Sequence, residues 1–132
     1  MANNPETNYL EWFVKAEEDE LSIETILKGD GSPSTACFLS QQMAEKYLKG
    51  LLIFRGISFP KVHDLLELET ILLGDFPEIK NLHEEFKNLN RYYIQTRYPG
   101  DYPKISFEEA QTAKESAASI KDFVLKNAPE NK

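Results

Sequence analysis

The stretch STACFLSQQMAEKYLKGLLIFRG, residues 34–56, decides the fold. Ala36, Leu39, Met43, Tyr47, Leu51 and Phe54 recur at three- and four-residue intervals, and Ala44, Leu48 and Leu52 widen the stripe. That period places side chains on one face of an α-helix. A stripe this wide predicts a central helix covered on more than one side. Ser34 or Thr35 is placed to cap its start, and Gly56 supplies the stop.

The flanking segments repeat the pattern. A first helix is predicted from about Asn8 to Lys28, with Tyr9, Trp12, Phe13, Ala16, Ile23 and Leu27 inward and Gly29 as its left-handed stop. Asp30 to Pro33 then form a turn. A short helix is predicted from about His63 to Leu73, ending at Gly74. A fourth begins at Pro77 and carries Ile79, Leu82, Phe86, Leu89 and Tyr93 on one face. It must end near Arg97, because Pro99-Gly100 and Pro103 cannot continue it. Ser106-Phe107-Glu108-Glu109 has capping-box spacing and opens a last helix to about Lys126, with Ala110, Ala113, Ala117, Ile120 and Val124 inward. Alternating strand patterns are scarce. The expectation is one all-α domain over residues 8–127, an up-and-down four-helix bundle with an additional short helix, and flexible ends at 1–7 and 128–132.

Composition narrows the function. A chain of 132 residues holds one core, and its formal charge of −7 excludes coating nucleic acid by bulk attraction, so any phosphate contact must be local. No signal peptide pattern and no apolar run of roughly 20 residues is visible, so the chain reads as cytoplasmic with no membrane segment. The single Cys37 reads as a small core residue. Neither His63 nor His83 has a Glu three residues before it, which removes a di-iron bundle site. No His/Cys cluster, Gly-rich phosphate loop or Gly-x-Ser-x-Gly elbow occurs, so no metal or cofactor is expected.

One segment has a composition that a core helix does not need: Arg91-Tyr92-Tyr93-Ile94-Gln95-Thr96-Arg97-Tyr98-Pro99. Guanidinium groups match phosphate bidentately and stack on aromatic faces, so an Arg/Tyr cluster at a helix end suits a nucleotide or phosphodiester. The same arginines could instead satisfy the helix macrodipole, worth about 0.3–1 kcal/mol. Tyr92, Tyr93 and Tyr98 could plug the bundle end, and Tyr93 falls on the core stripe. His63-Asp64 could exchange protons, although an acid in a first helical turn and a capping histidine are the plainer expectation. Gln41, Glu45 and Lys49 repeat every four residues, with Glu45 placed to pair with Lys49. Such a row is either a solvated face or the wall of a dimer seam or ligand groove.

Taken together, Ser40-Gln41-Gln42-Met43-Ala44-Glu45-Lys46-Tyr47-Leu48-Lys49-Gly50-Leu51-Leu52, Lys61-Val62-His63-Asp64-Leu65 and Tyr92 to Pro99 resemble the HEPN domain family in order and spacing, over roughly Trp12 to Val124. The resemblance implies a helical homodimer, frequently paired with an MNT-type nucleotidyltransferase as toxin and antitoxin, and in many members a metal-independent ribonuclease. In those, an Arg is followed after four to six residues by a His, at a site completed by two protomers. Here Tyr102 stands at that distance from Arg97, and Tyr98 from Arg91. The candidate catalytic residues are therefore Arg97, Tyr102, Arg91 and Tyr98, and the candidates for holding nucleotide are Arg97, Arg91, Lys46, His63 and Asp64. Tyrosine is a poor base at its usual pKa of about 10, so the replacement favours binding over cutting. The resemblance also allows Tyr98 or Tyr102 to accept adenylate from the partner enzyme. Three functions follow as expectations: a toxin-like nucleotide- or RNA-binding effector, a non-catalytic nucleotide-binding accessory subunit, or a purely structural helical dimer.

Overall fold

A computed structural model describes residues 8–95 and 104–129, and all described secondary structure is helical. The elements are α1 (Tyr9–Leu27), α2 (Pro33–Arg55), α3 (Leu65–Leu73), a 3-10 turn (Pro77–Leu82), α4 (His83–Asn90), α5 (Tyr92–Gln95) and α6 (Phe107–Asn127). The all-α expectation holds. Helix α2 is the centre, with α1 and α6 packed along it and α3, α4 and α5 closing the remaining side. Among the described residues, no helix is long and apolar enough to cross a membrane.

The central position of α2 follows from its sequence. Ala36, Met43, Ala44, Tyr47, Leu48, Leu51 and Leu52 are all buried, as is Cys37. At Gly50 a Cβ atom would come within 2.5 Å of the Phe13 ring and 3.2 Å of the Tyr9 carbonyl, so hydrogen is what lets α1 approach this closely. On the opposite flank Ala110, Ala113 and Ala117 of α6 are fully buried, and these small residues seat α6 against the bundle. Gly56 ends α2 at φ +70°, the left-handed conformation expected of it.

Three local expectations are corrected. Helix α2 begins earlier than a Ser34 or Thr35 cap would allow: Ser32 is the cap position and Pro33 is the first helical residue, where its missing N–H costs nothing. The short helix starts at Leu65 and not at His63. Asp64 is its cap, accepting from the Leu66 N–H at 2.9 Å, so His63 is released from that role. The fourth helix is not continuous. It opens as a 3-10 turn, breaks at Arg91 and resumes at Tyr92. The break shifts the inward face by one position, so that Tyr92 is buried at 1% exposure while Tyr93, expected in the core, is only half-buried.

Candidate functional site

The Arg/Tyr segment begins where α4 gives way to α5, and two networks hold it there. The first is built on Glu109. Ser106 caps α6 by accepting from the Glu109 N–H at 3.0 Å, but the Glu109 side chain does not return to close the capping box. It accepts from the Tyr92 hydroxyl at 2.5 Å and from Arg91 Nη2 at 3.2 Å, while Arg91 Nη2 also donates to Tyr92 Oη at 2.8 Å. The guanidinium lies 4.8 Å from the Tyr92 ring centroid. Arg91 is thus committed to Tyr92 and Glu109, although its side chain remains half exposed.

The charge states of this network follow from burial. Desolvation, and then the hydrogen bond to Glu109, raise Tyr92 far above its usual range, so it stays a neutral donor. The hydrogen bond with Tyr92 raises Arg91 further. Cys37, beside the Tyr92 hydroxyl, has its thiol pushed up to about 11 by burial. None of these groups is a proton acceptor at neutral pH.

The second network is built on Glu45. The row Gln41, Glu45 and Lys49 is not a solvated face: the three are 0%, 4% and 6% exposed. The segment between α2 and α3 covers it, with Gln41 Nε2 donating to the His63 carbonyl at 3.0 Å. Lys49 Nζ donates to Glu45 at 2.9 Å, the pairing expected from their spacing, and lies 5.8 Å from the Trp12 ring centroid. His63 Nδ1 approaches Glu45 Oε2 at 3.0 Å. Burying a charge is costly unless it is paired and hydrogen-bonded, and here each charged group finds its partner in the same row.

These networks tie His63 and Asp64 to the Arg/Tyr segment. The His63 ring stacks on Tyr93 with centroids 4.5 Å apart and planes at 14°, and Phe38 of α2 stacks on the same tyrosine at 6.4 Å. Asn90, next to Arg91, donates to Asp64 at 2.9 Å and accepts from the Leu65 N–H at 2.7 Å. On its other side His63 lines a cavity of about 630 Å³, together with Lys49, Lys61, Trp12, Phe59 and Ser58.

Of the residues singled out from the sequence, His63 and Asp64 are therefore joined to the start of the Arg/Tyr segment through Tyr93 and Asn90, while Arg91 is engaged with Tyr92 and Glu109. Lys46 does not join them in any described bond. It binds across to α1, donating to Asp19 at 2.8 Å, and burial still raises the Asp19 carboxyl above its usual value despite that contact. Arg97, Tyr98 and Tyr102 lie outside the described residues, as do 1–7 and 130–132. The pattern of α2 did not reveal Glu45 as the partner of His63, nor Phe38 and Tyr93 as its aromatic surroundings. The signal for Glu45 was a polar row on a helix otherwise too apolar to face water.

A family model described as HEPN domain matches residues 9–128. The chain belongs to the HEPN domain family. Solved structures resemble this HEPN protein along most of its length. The crystal structure of TT1696 from Thermus thermophilus superposes with a TM-score of 0.77 at 34% identity, covering 92% of this chain and 98% of that one. ST0689, an archaeal HEPN homologue, gives a TM-score of 0.70 at 28% identity, covering 89% and 94%. A Methanocaldococcus jannaschii protein named "Putative toxin MJ1304" is 27% identical over 100 residues, which are 71% of this chain and 66% of that protein.

Proposed function

We propose that this HEPN protein is a toxin-like effector that binds RNA or nucleotides and cleaves RNA without metal, acting as a homodimer controlled by an MNT-type nucleotidyltransferase. The observation that carries the reading is the stack of Phe38, Tyr93 and His63 at the start of the Arg/Tyr segment. Aromatic rings at the head of a segment whose sequence carries two arginines suit single-stranded RNA, where bases stack and guanidinium groups grip phosphate. The M. jannaschii relative's name supports the toxin-like part. Because the protein is acidic overall, the contact is confined to such a patch.

Within this reading Arg97 holds phosphate, and Arg91 contributes only when it leaves Glu109. Expression of the wild-type chain in bacteria is expected to arrest growth, and Arg97→Ala is expected to abolish the arrest with helix content unchanged. Equal growth inhibition by both would overturn the role of Arg97, and no inhibition by either would overturn the toxin reading. Co-expression of an MNT-type nucleotidyltransferase should relieve the arrest.

A second reading is favoured by the tyrosines standing where a histidine is expected: a non-catalytic subunit that binds nucleotide and accepts adenylate on Tyr102 or Tyr98. Tyr102→Phe keeps the ring and removes the hydroxyl. Unchanged adenylate acceptance by that variant would assign the acceptor to Tyr98.

A further inference from the structure

The chain has two histidines, and each makes the same contact: Nδ1 on a glutamate. His83 Nδ1 lies 2.9 Å from Glu69 Oε1, and His63 Nδ1 lies 3.0 Å from Glu45 Oε2. Both rings are about half exposed, at 49% and 51%, and both glutamates are largely buried. The local bond is therefore no ground for choosing between them, and what surrounds each pair is.

Glu45 is held a second time by Lys49, which is itself 6% exposed, so this carboxylate is fixed in position. The His63 ring is fixed again by its stack on Tyr93, and it lines the cavity of about 630 Å³. That cavity also presents the cations Lys49 and Lys61 and the rings of Trp12 and Phe59. Lys49 is already paired with Glu45, so Lys61 is the cation this lining offers beside the Trp12 and Phe59 rings, a combination suited to an anionic aromatic ligand such as a nucleotide of RNA. His83 is absent from the lining of this cavity and makes no described ring stack. In the neutral tautomer that donates Nδ1–H to the carboxylate, the other nitrogen, Nε2, carries the lone pair, and it has no described partner. An imidazole so oriented is the arrangement by which a carboxylate sets a histidine up as a general base.

We propose that His63, positioned by Glu45, is the proton-accepting group of the site, supplied from the segment between α2 and α3 and not from the Arg/Tyr segment. This rests on the RNA-cleaving reading above. In the step, Nε2 takes the proton of a ribose 2′-hydroxyl as that oxygen bonds to the adjacent phosphorus. The bond from phosphorus to the 5′ oxygen breaks, and that oxygen takes a proton from water. The imidazolium returns its proton to solvent. The products are a 2′,3′-cyclic phosphate and a 5′-hydroxyl, with no metal and no net water consumed.

The test is metal-free cleavage of purified tRNA by the full chain, comparing wild type with His63→Ala, His63→Gln and His83→Ala, each checked for native helix content and melting. General-base catalysis contributes about 100-fold or more, so both His63 variants are expected to lose at least that much rate, while His83→Ala stays within about two-fold. Added imidazole is expected to restore part of the His63→Ala rate. His63 variants within about three-fold of wild type, or an equal fall in all three variants, would overturn the proposal while leaving the ribonuclease reading intact. A wild type that cuts no RNA would overturn both.

Discussion

The Tyr92 hydroxyl donates to Glu109 at 2.5 Å, joining the α5 segment to the first turn of α6. Since burial and Glu109 both hold Tyr92 protonated, its folded value lies above the unfolded one. The stabilisation is fully present below the ordinary tyrosine pKa of about 10 and is lost as pH rises beyond it. Tyr92→Phe is expected to cost about 1–2 kcal/mol at neutral pH, measured by urea unfolding. In alkaline titration followed by phenolate absorbance, one tyrosine is expected to ionise only as the fold is lost.

Cys37 obeys the same sign. Its thiol, raised to about 11 by burial, is expected to resist alkylation at pH 8 in the native protein and to react at once in denaturant. Its contribution to stability is complete below the ordinary thiol range and declines as pH approaches 11. Rapid labelling of the native protein would contradict the burial of Cys37 behind Tyr92.

Gly50 tests the contact between α1 and α2. With a Cβ placed 2.5 Å from the Phe13 ring, Gly50→Ala is expected to destabilise the chain. Such overpacking costs about 1–3 kcal/mol, more than the helix propensity gained from alanine. Combining it with Phe13→Leu should recover part of that loss, and thermal melting of the single and double variants measures the coupling.

The buried row on α2 gives a prediction of opposite kind. Glu45→Ala leaves Lys49 buried without its carboxylate and is expected to cost about 3–5 kcal/mol, whereas Glu45→Leu together with Lys49→Met is expected to lie within about 1–2 kcal/mol of wild type. Denaturant midpoints of the two variants decide between this account and a solvated row, for which both changes would be nearly neutral.

The same row shows where the sequence was legible and where it was not. Periodicity placed α2 at the centre through its apolar positions from Ala36 to Leu52, although Phe54, read onto the same stripe, is exposed. The alanines of α6 and the stops at Gly29 and Gly56 were equally plain, since their effects are local. The covering of Gln41, Glu45 and Lys49 was not, because it depends on how the segment after α2 folds back over that helix, a path set by Asp64 capping α3 and Asn90 holding Asp64. Tyr92 and Tyr93 exchanged roles for a similar reason: the break at Arg91 shifts the inward face by one residue, and the tertiary bonds of Arg91 and Tyr92 to Glu109 accompany it. The pairing of His63 with Glu45 spans two elements and could not be read from the neighbouring pair His63-Asp64.

The most direct test of the central claim is incubation of purified tRNA, with a chelator present, with the wild-type chain and with Arg97→Ala prepared identically. The wild type is expected to cleave the tRNA, leaving 2′,3′-cyclic phosphate ends, and Arg97→Ala is expected to lose that cleavage. Intact tRNA with both proteins, under conditions where the chain is folded, would contradict the claim and leave nucleotide binding under a partner's control as the function of this HEPN domain.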